Sequence, residues 1–390
     1  MDTVSSFRAE LEELAAWRRE LHRHPEPGFG EHRTAAFVAD KLRAFGVDEV
    51  HTGIAITGVV GVLRGRAEGP AIALRADMDA LPISEETNLP WSSRVPGWMH
   101  ACGHDGHTVM LLAAARRLAR SRDFAGTVCF VFQPAEEMLG GGRRMVEEGL
   151  FERLPVREVY GLHNWPWLPL GTFAVHDGPV MAAADRLDVT LTGRGCHAAM
   201  PHLGRDPVTG AAQIVSALQL LVSRETDPVD AAVISITAIA AGEAYNVVPE
   251  RAALKGTVRT LREETRERLL ARIPGVVRGI AAALGLEAEV EITRGYPATV
   301  NTKDEADEAA RAAAAVVGGE AVRRDLPPSM GAEDFAFMLR ERPGAYVWLG
   351  TGGAEKGRIL HSPHYDFEDE AIPYGAAYWV ELVRRRLPAE

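Results

Sequence analysis

The stretch Pro70-Ala71-Ile72-Ala73-Leu74-Arg75-Ala76-Asp77-Met78-Asp79 decides the fold class. From Ala71 the run of Ala, Ile and Leu does not alternate with polar residues. Pro70 bounds it on one side and Asp77 on the other. Such a run reads as a strand covered on both faces, the habit of parallel sheets. Working outward, residues 59–63, 127–132, 158–162 and 345–350 read as further strands. Helical periodicity falls at 10–24, 31–45, 107–120, near 141–149, and at 303–317, 332–341 and 369–387. Strands alternating with helices indicate an α/β fold layered around a sheet.

The pattern changes near Ala184. In residues 186–193, Leu187, Val189 and Leu191 alternate with Asp188, Thr190 and Thr192, a strand with one buried face. A helix at 207–224, strands at 232–240 and 251–260, a helix at 262–284 and a strand at 287–293 follow. The order β-α-β-β-α-β is that of a ferredoxin-like α+β domain. The expectation is a discontinuous α/β domain with a mixed sheet, residues 1–183 and 295–390, interrupted by a small domain at 184–294.

A chain of 390 residues is long for a single core, which agrees with two domains. Its 43 basic and 54 acidic residues give a net charge of −11, with no basic cluster. That balance argues against nucleic acid and anionic membrane as partners. No apolar stretch approaches the ~18 residues of a spanning helix. Residues 1–20 lack the apolar core of a signal peptide. Cys102, Cys129 and Cys196 are too few for a disulfide framework, so cytoplasmic residence is expected.

Chemistry concentrates in Met99-His100-Ala101-Cys102-Gly103-His104-Asp105-Gly106-His107. Imidazole, thiolate and carboxylate are transition-metal ligands, and a core has no use for them unpaired. Cys102 and His104 suit a ligand loop; His100 and His107 suit support or a helix start. Asp77 and Asp79 follow a strand, where they either cap a turn or, as taken for Asp79, orient a metal-bound histidine. In Phe132-Gln133-Pro134-Ala135-Glu136-Glu137 a strand runs into two adjacent carboxylates. Adjacent side chains point apart, so one can bind metal while the other moves a proton; the alternative is an acidic helix start. His163 closes a strand in Tyr160-Gly161-Leu162-His163-Asn164-Trp165, and His361 is read as another strand-end histidine.

Cys102, His104, Glu137, His163 and His361 exceed what one catalytic site needs. Two divalent ions sharing them is the expectation, with Zn²⁺ or Mn²⁺ preferred and Co²⁺ or Ni²⁺ as further candidates. In the small domain, His197 and Asn246 either bind a substrate carbonyl or carboxylate, with His197 holding an oxyanion, or belong to ordinary turns.

The segments 74–83 (LRADMDALPI), 100–108 (HACGHDGHT), 132–137 (FQPAEE), 161–166 (GLHNWP), 193–202 (GRGCHAAMPH), 244–250 (AYNVVPE), 330–339 (MGAEDFAFML) and 360–370 (LHSPHYDFEDE) resemble the M20 metallopeptidase family. They are closest to its amidohydrolase branch of hippurate hydrolases, N-acyl-amino-acid deacylases, N-acetyldiaminopimelate deacetylases and auxin-conjugate hydrolases. The resemblance implies a catalytic domain with a lid, the dinuclear ligand set above, and Glu136 as general base. It also implies a homodimer through the lid, with His197 reaching a neighbouring active site and Asn246 as the lid asparagine. Cys196 departs from the glycine usual before that histidine.

The expected activity is metal-dependent hydrolysis of the amide of a small N-acyl amino acid. A dipeptidase or carboxypeptidase using the same metal chemistry is the first alternative. A non-catalytic metal- or ligand-binding protein is the second, disfavoured because a binding module has no use for a proton acceptor beside a full ligand set.

Overall fold

A central eight-stranded mixed sheet organises the larger unit. The computed structural model describes residues 3–389; Met1, Asp2 and Glu390, included in the sequence-derived domain limits, lie outside it. The chain forms two compact units. One comprises residues up to Gly178, Val300–Pro327 and the chain from Asp334 on; the other comprises Pro179–Thr299 and Pro328–Glu333.

Across the large sheet the strands run Glu49–Ile54, Gly58–Arg64, Ala125–Gln133, Ala67–Asp77, Glu158–Trp165, Gly344–Gly350, Phe173–Val175 and Val322–Arg323. The four central strands are mutually parallel, and the Gly58–Arg64 strand joins them antiparallel. Alternation assigns each face its task. Ile72, Leu74, Val128, Phe130, Phe132, Tyr160 and Leu162 enter one apolar core with residues of the helices His104–Ser121 and Ile372–Arg386. Their strand neighbours Arg75, Asp77, Gln133 and His163 therefore share the opposite face, near the carboxyl ends of parallel strands, where open α/β sheets build sites.

Two local expectations need correction. The helix expected from 107 starts at His104, so His104 is a helical rather than a loop residue. Its start has no side-chain cap; Gly103, at φ 93°, makes the turn instead. A Cβ at Gly103 would stand 2.1 Å from Asn164 Oδ1, so only glycine fits. The helix expected at 332–341 is confined to Ala336–Glu341.

The smaller unit has a four-stranded antiparallel sheet ordered Ala232–Ala241, Arg251–Thr260, Ala183–Thr192, Glu287–Tyr296. Leu187, Val189 and Leu191 pack with Ile214 and Leu218 of the Pro207–Ser223 helix and with Leu269, Ile273 and Val277 of Glu263–Ala283. The first helix starts at Pro207 behind Asp206, whose carboxylate accepts the Val208 N–H at 2.9 Å. Among the described residues no helix is long and apolar enough to cross a membrane.

Candidate metal centre

Metal-ligand atoms converge at the carboxyl ends of the central strands. Asp77, His104, His107 and His163 form one group whose ligand atoms lie within 4.8 Å of one another. Cys102, Glu137 and His361 form a second, and His104, Glu136 and Glu137 a third that joins them. Cys102 Sγ lies 3.4 Å from His163 Nε2, and His361 Nε2 lies 3.2 Å from Glu137 Oε1. All five side chains expected as ligands thus stand in one cluster.

The imidazoles are oriented by their outer nitrogens. His104 Nδ1 stands 3.0 Å from the Asp79 carbonyl and 3.2 Å from Asp79 Oδ1. His163 Nδ1 stands 2.7 Å from the Asn164 carbonyl, to which it donates. Each ring then presents Nε2 inward, the arrangement that fixes a metal-binding tautomer. His104 Nε2 and Glu137 Oε1 are buried without a hydrogen-bond partner among the described residues. Leaving such atoms orphaned is costly unless a cation takes them.

The electrostatics fit a cationic occupant. Burial, with Glu137, Glu136 and Asp77 around it, pushes the Cys102 thiol well above its ordinary range. Burial opposes charge on His104, but Asp77, Asp79 and Glu137 outweigh it and push its pKa up to about 10. A site that makes one thiol resist ionisation and one imidazole hold its proton is crowded with anions, and divalent cations reverse both preferences. The donor set of thiolate, imidazole and carboxylate fits such ions.

The loop carrying the two glutamates is pinned at its backbone. Ala135, at φ 55°, donates its N–H to Glu31 Oε1 at 2.8 Å, and Glu137 donates its N–H to Asp79 Oδ2 at 3.0 Å. His361 also takes a left-handed backbone, φ 62°, and its N–H donates to the Ala101 carbonyl beside Cys102 at 2.8 Å. Non-glycine residues in that region carry strain that surrounding structure must hold; Ala135 flanks the cluster and His361 belongs to it. His361 does not end a strand as expected: it lies in a turn eleven residues past Gly350, half-exposed.

His107 has a supporting role, with Nδ1 2.6 Å from Asp77 Oδ1 and Nε2 2.6 Å from Asn164 Oδ1. His100 is buried with neither ring nitrogen bonded among the described residues, and burial lowers its pKa to about 4. His197 and Asn246 belong to the smaller unit, where His197 pairs with Val247 across two short strands. His197 Nδ1 accepts the Ala199 N–H at 3.0 Å, which leaves its exposed Nε2 as the donor of the neutral ring. The Asn246 carbonyl accepts the Ala198 N–H at 3.0 Å, and its side chain is exposed.

Sequence reasoning passed over Glu31, Arg75, Gln133 and Asp334, all buried here. Arg75 had a visible signal: a charged residue inside an apolar strand needs buried partners.

This arrangement belongs to metal-dependent hydrolases, and the wider comparison agrees. The model of peptidase family M20/M25/M40 matches residues 73–385. The chain belongs to that family and is a metal-dependent hydrolase of amide bonds. It is 41% identical to an N-acetylcysteine deacetylase of Bacillus subtilis over 95% of each chain. It is 40% identical to a hippurate hydrolase of Campylobacter jejuni over 98% of each. A crystal structure of a Bacillus subtilis dinuclear metal-binding peptidase of the M20 family superposes with TM-score 0.85 at 38% identity, covering 97% of this chain and 99% of that one.

Proposed function

We propose that this chain hydrolyses N-acyl amino acids to a carboxylate and an amino acid, with two divalent ions, Zn²⁺ or Mn²⁺, held by Cys102, His104, Glu137, His163 and His361. The observation that carries the reading is the adjacent pair Glu136 and Glu137. Glu137, half-buried, turns its carboxylate into the donor cluster, and Glu136, which is buried, is the neighbouring proton carrier. Bound metal would polarise the scissile carbonyl and acidify water. Glu136 takes the proton of the attacking water and returns it to the leaving nitrogen. Asp79 keeps His104 in the ligating tautomer and holds the Glu137 backbone. His197 offers Nε2–H to the developing oxyanion, and Asn246 offers its amide to the substrate's polar end. The relatives named for N-acetylcysteine and hippurate support the substrate class.

The smaller unit is the lid, residues 184–294 in the sequence-based division, and it carries a homodimer interface. Supporting this, the strand Ala232–Ala241 is a sheet edge with Ile239 exposed, and Val229 and Leu220 are exposed in the same unit. Cytoplasmic residence rests on three unpaired cysteines.

The test is a release assay with acetyl-, benzoyl- and indole-acetyl-amino acids and with dipeptides. The enzyme is stripped by chelator and reloaded with Zn²⁺, Mn²⁺ or Co²⁺. Metal-restored cleavage of an N-acyl class is expected. Cleavage of dipeptides alone would replace the reading with a dipeptidase, and no cleavage at full metal loading would overturn it.

A further inference from the structure

We propose that Asp334, from the Glu333-Asp334-Phe335 segment for which the mechanism above has no use, is the positioning residue of Glu136. The inference rests on the reading of Glu136 as proton carrier. Asp334 is fully buried, and its carboxylate clamps both ends of the loop that bears the two glutamates. Gln133, the last residue of its strand, donates Nε2–H to Asp334 Oδ1 at 2.7 Å before the loop begins. Gly142 donates its backbone N–H to Asp334 Oδ2 at 2.7 Å after the loop ends. Between these two anchors, the Asp334 N–H donates to Glu136 Oε1 at 3.4 Å. One residue thus fixes where the loop starts and where it finishes, and its N–H reaches one oxygen of the carboxylate in the middle.

Arg75 fixes Asp334 in turn. Its guanidinium donates to Asp334 Oδ1 at 3.1 Å, to Gln133 Oε1 at 2.8 Å and to Asp77 Oδ2 at 2.7 Å. A buried arginine bonded on three sides is a rigid strut, since breaking any one bond leaves a buried polar group unsatisfied. Gly142 has no space to spare: a Cβ there would lie 3.0 Å from both the Asp334 carbonyl and Gln133 Oε1. Scaffolding alone would be served as well by apolar packing at this depth; a connected polar network is costly and specifies one geometry. That geometry is spent on a loop whose carboxylate must meet a proton within hydrogen-bond reach.

The test is Asp334→Asn, which keeps the shape and removes the charge. kcat is expected to fall about 100-fold, the cost of a misplacement near 1 Å. KM and bound metal per chain should stay within a factor of about three. The same substitution in a Glu136→Gln background should cost nothing further, because the group it positions is gone; residual rates are read over long incubations at high enzyme concentration. A purely structural residue would cost as much in both backgrounds, and that result overturns the proposal. So does wild-type kcat in Asp334→Asn. Should Asp334→Asn not fold, Gln133→Met cuts the clamp from the strand side without changing charge. It should lower kcat about tenfold with metal retained, and an unchanged kcat overturns the proposal. Full turnover in Glu136→Gln alone would instead sink the proton-carrier reading on which this rests.

Discussion

Asp79 ties Glu137 to His104: one carboxylate oxygen accepts the Glu137 backbone N–H at 3.0 Å, and the other lies 3.2 Å from His104 Nδ1. Two candidate ligands from distant parts of the chain are set by a side chain that is not among the ligands. Asp79→Asn should therefore leave the fold intact and weaken metal retention about 10- to 100-fold. Metal content after graded dialysis against a chelator measures this; retention equal to wild type would remove Asp79 from the support of the site.

Glu136→Gln separates binding from proton transfer. The amide matches the carboxylate in shape and cannot accept a proton, so metal content should stay near wild type. Turnover should fall by about 10²- to 10⁴-fold, the range that general acid–base groups supply. Elemental analysis alongside initial rates decides it. Lost metal would mean that Glu136 is a ligand.

Cys102→Ala should lose metal and activity together. Burial and the surrounding Glu137, Glu136 and Asp77 resist a thiolate at this position, and a divalent cation compensates them. With the thiol gone, two donors remain in the group of Glu137 and His361. Metal per chain should drop while the circular dichroism spectrum holds. Unchanged stoichiometry would strike Cys102 from the ligand set.

Much of this was legible in the sequence because the donors sit where local pattern is strong. The run 71–75 announced a parallel strand, and Asp77 ends that strand in the structure. The sequence places His104 in a loop, but its helix starts there: Gly103 makes the turn at a point where Asn164 and Tyr365 leave no room for a side chain, a fact of tertiary packing. The sequence reads His361 as a strand-end histidine, whereas a turn with a left-handed backbone delivers it here. Arg75, Gln133 and Asp334 meet across separations of up to 259 residues, so no window of sequence contains their network.

Beside the helix that carries His104, His22 makes folding stability depend on pH. Its Nδ1 lies 2.8 Å from Asp105 Oδ2 and its Nε2 3.3 Å from Glu85 Oε2, all buried. Burial disfavours the charged ring, but the bonds to Asp105 and Glu85 outweigh it and push the pKa up to about 9. A folded pKa above the unfolded value of about 6.5 gives stability fully present below pH 6.5 and lost as pH rises through 9. The loss should be on the order of a few kcal/mol. Thermal unfolding of the metal-loaded enzyme between pH 6 and 10, compared with His22→Gln, tests it: the variant should be less stable at pH 6 and flatter over this range. Parallel curves would show that folding leaves the His22 pKa unchanged and would overturn the prediction.

The last prediction concerns the edge strand Ala232–Ala241 of the smaller unit. An open edge bearing an apolar side chain that is 55% exposed, Ile239, invites pairing with a second copy of itself. Ile239→Lys puts a desolvated charge into such an interface, while in a monomer the side chain would simply stay in water. The expected outcome is a dimer in wild type and a monomer in the variant, by light scattering on a size-exclusion column, with the far-ultraviolet spectrum unchanged. Because Ile239 contributes so little to its own unit's core, a loss of fold would not mimic the effect. A wild-type chain that runs as a monomer would remove the interface altogether, and a variant that still dimerises would move it away from this edge.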